Sequence, residues 1–230
     1  MTSARPRPGA HRQAAPGRSP TPPPRRPQEV RIIGGHWRGS RLPVADAPGL
    51  RPTPDRVRET LFNWLGQTLT GWRCLDAYAG TGALGFEAAS RGAQRVLLVE
   101  RDARLAESLR RVKARLHADA VEIICAPALG VLQAQAPASF DLVFLDPPYG
   151  QGLLGPALAA AARVVVPGGW VYAEDAQPLS DLPVPWLLHR QGRAGMVHHH
   201  LLRRVPEVPE DGLSVGPSEG PSVQPPLPPD

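Results

Sequence analysis

Read for apolar periodicity, the chain changes character between residue 73 and residue 173. Short apolar runs there alternate with stretches in which apolar residues recur every three to four positions. Cys74 to Ala77, Val96 to Val99, Val121 to Cys125 and Phe140 to Leu145 are such runs, with the length and composition of strands covered on both faces. A glycine-rich turn leads from the first run into a helix that stops near Arg91-Gly92. After the second run, Leu105, Leu109, Val112 and Leu116 make one helical stripe. Asp102 is placed to cap that helix, and Glu107 and Arg111 pair across its outer side. A helix over about 153–164 and a strand near Trp170 to Ala173 follow, and Trp186 to Arg190 with Met196 to Arg204 suits a closing antiparallel pair. Strand–helix alternation of this kind predicts an α/β sandwich of three layers around a mostly parallel sheet.

Ahead of this region the signals are weaker. Residues 30–45 read as two short strands around glycines, a hairpin that carries Arg31, Arg38 and Arg41 beside His36 and Trp37. Basic groups next to an aromatic suit an RNA backbone and an exposed base; a charged edge hairpin that resists aggregation is the other reading. Thr53 is placed to cap a helix with Pro54 at its first position. Val57, Leu61, Trp64 and Leu65 fall on one apolar face of that helix, and Arg51, Arg58, Glu59 and Asn63 are expected on a solvated one. Residues 1–28 and 206–230 show no apolar periodicity and abound in proline, so burial cannot offset their ordering entropy. Two disordered tails are expected around one domain spanning 29–205, with 29–48 as its hairpin extension.

The net charge of +5 is not only a tail effect. Removing the six arginines of the front tail and the five acids of the back tail leaves a core that is still net positive. All but one of the 26 cations are arginine, the exception being Lys113. Arginine suits phosphate because its planar fork bonds two oxygens at once. Cys74 and Cys125 lie in strand-like runs and are expected as buried free thiols in a reducing cytoplasm. No membrane span or secretory leader is expected. His198-His199-His200 sits in a strand-like stretch, where neighbours face opposite ways, and is expected on a surface strand rather than around a metal.

Two motifs carry the chemistry. Gly80-Thr81-Gly82-Ala83-Leu84-Gly85 matches G-x-G-x-x-G between a strand and a helix, and Glu100 ends the next strand, where a carboxylate meets ribose hydroxyls. The pair points to an adenosine-containing cofactor. S-adenosylmethionine is favoured over a nicotinamide because little chain remains for a separate substrate domain. The second motif is Asp146-Pro147-Pro148-Tyr149 at the end of the fourth strand. Its prolines make a stiff turn with outward carbonyls. Asp146 and the Pro147 carbonyl can accept the two hydrogens of a planar amino group on a base, while Tyr149 stacks on the base plane. DNA adenine-N(6) or cytosine-N(4) methylation, a nicotinamide oxidoreductase and a non-catalytic RNA-binding assembly protein remain as alternatives.

RIIGGHWRGSRLPV, LRPTPDRVRETLFNWL, CLDAYAGTGALGFEAASRGA and FDLVFLDPPYG together resemble the bacterial 16S ribosomal RNA guanine-N(2) methyltransferase family, small-subunit methyltransferase D. The resemblance covers essentially 30–205. It implies a Rossmann-like methyltransferase fold with a mostly parallel seven-stranded sheet, helices on both faces and a small N-terminal hairpin. It further implies S-adenosylmethionine as methyl donor and 16S rRNA as partner, in an assembling small subunit and with the enzyme as a cytoplasmic monomer. Asp76, Ala79, Gly80 and Gly82 would flank the methionine and ribose, Glu100 and Arg101 the ribose, and Asp146, Pro147 and Tyr149 would form the catalytic turn, with Asp146 also contacting the cofactor. Arg31, Arg38, Arg41 and Arg51 would hold RNA. The family's third strand usually ends in a polar side chain toward adenine; here Cys125-Ala126-Pro127-Ala128 offers only backbone, at Ala128.

Overall fold

In the computed structural model, residues 29–44 and 53–206 are described. The N-terminal hairpin consists of β1 (Glu29–Arg31) and β2 (Arg41–Pro43), paired antiparallel with Val30 opposite Leu42. The main sheet has seven strands: β3 (Arg73–Asp76), β4 (Arg95–Glu100), β5 (Val121–Cys125), β6 (Phe140–Leu145), β7 (Val165–Asp175), β8 (Trp186–Ala194) and β9 (Val197–Arg204). Their order is β5-β4-β3-β6-β7-β9-β8. The first five strands are mutually parallel, and β9 inserts antiparallel between β7 and β8.

The helices α1 (Asp55–Leu65), α2 (Ala83–Ser90), α3 (Ala103–Leu116), α4 (Ala128–Ala134) and α5 (Leu154–Val164) cover both faces. Strand alternation divides the core accordingly. Cys74, Leu142 and Phe144 face the cluster built with α1, α2, α3 and the hairpin, whereas Leu75, Val143 and Leu145 face the cluster built with α4 and α5. Asp102 caps α3 as expected, accepting from the Arg104 and Leu105 amides. No helix among the described residues is long and apolar enough to cross a membrane.

Several expectations need correcting. Thr53 does not cap α1: the N-cap is Pro54 and no side chain bonds there. The buried face of α1 is Val57, Arg58, Leu61 and Phe62, so Arg58 is fully enclosed rather than solvated, while Glu59 and Asn63 are exposed. Arg58 donates to Asp55, to Glu87 and to the carbonyls of Thr53 and Arg31, which satisfies its guanidinium inside the fold. Cys125 is exposed, because β5 is the edge of the sheet; Cys74 is buried. The histidine strand is interior, and His199 and His200 are buried between β7 and β8. Trp37 is half-buried against the core. The helix α4 has no counterpart in the periodicity reading. Arg51 and the two tails lie outside the described residues.

Candidate active site

The chain runs from β3 outward to β4 and β5, then returns to β6 on the other side of β3. The order reverses between β3 and β6, and open parallel sheets bind ligands beyond the carboxyl ends of the strands at such a reversal. Asp76 ends β3, Glu100 ends β4, Asp146 follows β6, and Glu174 is the penultimate residue of β7. Four carboxylates therefore collect along one edge.

The turn after β3 is shaped by backbone freedom. Gly80 has φ 52° and Gly82 φ 76°, both in the left-handed region that side chains resist. Gly85 closes the packing of helix on strand: a Cβ there would come within 2.1 Å of Leu98 Cδ2. The Gly85 amide instead donates to Asp76 Oδ2 at 3.0 Å. Ala79 donates to the Val99 carbonyl at 2.9 Å, which ties the turn to β4. Glu100 accepts from the Gly80 amide at 2.9 Å and from the Asp102 amide at 2.8 Å. Each of its oxygens keeps a further acceptor position, since a carboxylate offers about four. Arg101 is exposed beside it, and Ala128 begins α4, where its N–H has no intrahelical acceptor.

Asp76 is 2% exposed and its bonds come from backbone amides. Burial pushes its carboxyl up to about 7, with nearby Glu100 adding to the rise. Asp146 is also held well above the usual carboxylate range, first by burial and then by Glu174 and Asp76. Among the described residues none of Asp76, Asp146 and Glu174 forms an ion pair with a basic side chain. The observation answers whether S-adenosylmethionine fits: a glycine cradle and an acid-rich edge short of positive charge match a ligand that is cationic at both sulfur and amine.

Beside Asp146 the Pro147 ring is buried, and Tyr149 is 45% exposed. The Tyr149 hydroxyl reaches Glu174 Oε2 at 3.4 Å, and burial with Asp146 and Glu174 nearby raises its pKa. Glu174 also accepts from the Tyr172 hydroxyl at 2.7 Å and from the Thr53 side chain. A cavity of about 130 Å³ opens here, lined by Pro147, Tyr149, Leu153 and Glu174 among others. Glu174, Tyr172 and Thr53 were not legible as site residues. The one available signal was a tyrosine followed two positions on by an acid at the end of a buried strand, which puts both on one face.

The sequence-predicted residues thus fall into two groups. Asp76, Ala79, Gly80, Gly82, Glu100, Asp146, Pro147 and Tyr149 gather at the strand edge, while Arg31, Arg38 and Arg41 stand apart on the hairpin. Arg31 lies 3.6 Å from Asp55, Arg41 bonds Glu29 at 2.8 Å, and Arg38 is exposed. The hairpin itself is anchored on α2, since the Ile33 and Gly34 amides donate to Glu87 at 2.9 and 2.7 Å.

The family described as Conserved hypothetical protein 95 matches residues 30–203. Ribosomal RNA small subunit methyltransferase D of Escherichia coli (strain K12) is 42% identical over 184 residues, covering 76% of this chain and 90% of that protein. The protein of the same name from Haemophilus influenzae is 41% identical over 180 residues, covering 75% and 93%. Among solved structures, the provisionally assigned methyltransferase yhhF from Escherichia coli superposes with a TM-score of 0.70 at 40% identity, covering 77% of this chain and 99% of that one.

Proposed function

The chain belongs to the small-subunit ribosomal RNA methyltransferase D family, and from that premise we propose that it methylates the N(2) amine of one guanine in 16S rRNA. Ribosomal RNA methylation is the activity the relatives support; the guanine and its amine are our reading. The observation that carries it is the Asp146 carboxylate, without a basic partner among the described residues, followed by the proline pair on the same strand edge as the glycine turn. We place the catalytic unit in 29–205, acting as a cytoplasmic monomer on the RNA of an assembling subunit.

Glu100, with Arg101 at its side, would hold the ribose hydroxyls, Ala79, Gly80 and Gly82 the chain beside them, and Asp76 the positive end of the cofactor. The Ala128 amide is the candidate for adenine. When bound, S-adenosylmethionine supplies the methyl group, whose bond to sulfur breaks as the bond to the amine nitrogen forms. Asp146 and the Pro147 carbonyl accept the two amine hydrogens and aim the nitrogen lone pair into the cleft. Such orientation is worth up to roughly 7–11 kcal/mol. Asp146 then takes one proton as the nitrogen becomes positive. Tyr149 offers its exposed ring as the stacking wall for the base. Arg31, Arg38, Arg41 and Arg51 would hold the RNA backbone.

Tritium transfer from labelled S-adenosylmethionine to small-subunit RNA, followed by nucleoside analysis, tests the reading. The expected product is N(2)-methylguanosine. N(6)-methyladenosine or N(4)-methylcytidine would overturn the guanine reading. Asp146→Ala should lower turnover by about 10³-fold or more with cofactor affinity retained, the range for a lost proton acceptor and orienting group together. Because the ionised carboxylate is the acceptor, activity should rise with pH along a limb displaced above the ordinary carboxylate range.

A further inference from the structure

We infer that Glu174 selects guanine, by accepting the N1–H of the base whose N(2) amine Asp146 holds. The inference rests on the guanine reading above and assigns a residue to its specificity.

Placement is the first argument. In the parallel pair β6–β7, Phe144 lies opposite Tyr172 and Leu145 opposite Ala173. Carried one residue further, that register sets Asp146 beside Glu174, about one strand spacing of 4.7–4.9 Å away. Phe144 and Tyr172 share the α1–α2 side of the sheet, so the two acids that continue them open toward the same side. Glu174 also lines the cavity that Pro147 and Tyr149 border.

Rigidity and spare capacity are the second. Tyr172 and Thr53 fix the carboxylate from the core, and Tyr149 touches Oε2 only at 3.4 Å from the cavity wall. Three hydroxyl contacts leave at least one of its about four acceptor positions open. A tyrosine hydroxyl at a strand end could be satisfied by a neutral acceptor. A carboxylate 4% exposed, with no basic partner among the described residues, is a costly choice unless a ligand brings further donors.

The base edge supplies the third. Guanine presents a donor at N1 next to two donors on its N(2) amine. The Pro147 carbonyl, Asp146 and Glu174 form a matching row of acceptors. Adenine and cytosine place a lone pair beside their amine, which would face the Glu174 carboxylate and be repelled. A site built to bond an N–H rejects an analogue lacking it far more strongly than a hydrophobic pocket rejects a missing methylene.

The test uses the full-length protein and small-subunit RNA carrying guanine or 2-aminopurine at the methylated position. 2-Aminopurine keeps the N(2) amine and lacks the N1–H. The wild type should prefer guanine in kcat/KM by about 10²-fold or more. Glu174→Gln, whose amide can donate to an unprotonated N1, should lose about 10–100-fold on guanine and collapse that preference. Glu174→Asp, which withdraws the charge by one methylene, should lose rate on guanine without gaining on the analogue. Cofactor affinity should hold in both. Equal use of the two bases by the wild type, or rates falling in proportion in Glu174→Gln, would reduce Glu174 to a structural role while N(2) methylation stood. Absence of N(2)-methylated product from wild-type enzyme on guanine would instead sink the underlying reading.

Discussion

Glu87 is fully buried and Asp146 half-buried, and the two acids differ most in the groups around them. Glu87 accepts two donors on each oxygen: the Ile33 amide at 2.9 Å and Arg58 at 3.2 Å on Oε2, the Gly34 amide at 2.7 Å and Arg91 at 3.0 Å on Oε1. Every acceptor position is filled by the protein itself, and two guanidinium groups balance the charge. Asp146 has other acids for company, Glu174 and Asp76, and no basic partner among the described residues. The first cluster is complete and binds hairpin, α1 and α2 together. The second lacks such partners among the described residues, as the proposed cationic cofactor and donor-bearing base require. Completeness of charge separates the acid that holds the fold from the half-buried acid proposed to serve the reaction.

The largest expected stability effect comes from breaking the complete cluster. Glu87→Ala would leave Arg58, fully buried, and Arg91, nearly so, without their shared carboxylate. Removing one partner of a buried pair costs about 3–5 kcal/mol. For a domain of this size that is a fall in Tm of roughly 10 °C. Thermal unfolding followed by circular dichroism measures it. An unchanged Tm would mean that water or Asp55 compensates the two arginines, and the contrast with Asp146 would lose its basis.

The same contrast explains what the sequence could and could not reveal. Sheet strands were readable because Cys74–Ala77 and Phe140–Leu145 are apolar but for one aspartate each, a local property. The glycine turn and Asp146–Tyr149 were readable because their chemistry is consecutive. Arg58 was not: its partner Glu87 lies 29 positions away, and a lone arginine on a helix reads as solvated. Glu174 was hidden for the same reason, since Thr53 and Tyr149 reach it from distant elements. Cys125 and His200 were misplaced because exposure there depends on which strand ends the sheet. β5 took the edge and β9 the interior, and nothing in either strand announces that. Seven-residue α4 buries only Ala128 and Leu132, too few positions to show a period.

An opposite and smaller effect should follow from relieving the incomplete cluster. Asp146 titrates above its unfolded value, so between the two values the native state binds more protons than the unfolded one. Stability of the free protein therefore falls as pH rises through that window. Asp146→Asn removes the dependence. The variant should gain in Tm over the wild type as pH rises through that window. For Asp76→Asn the corresponding window runs from 3.8 to about 7. Both variants should lose activity while gaining stability. Equal curves at pH 8 would show that the strand-edge acids are already compensated.

The smallest effect belongs to a third kind of charge, exposed and unpaired. Arg38 at the hairpin turn faces solvent and pairs with no carboxylate among the described residues, whereas Arg31 and Arg41 lie against Asp55 and Glu29. A solvated guanidinium is already hydrated, so Arg38→Gln should leave stability within about 0.5 kcal/mol. Its work would appear only with RNA present. A phosphate contact releases counterions, so losing one should lower the slope of log affinity against log salt by about 0.7–0.9. Arg41→Gln should lower it less, because Glu29 already offsets part of that charge. The comparison is made by titrating small-subunit RNA at several salt concentrations with wild type and both variants. Identical slopes would remove the hairpin from the proposed RNA-binding surface.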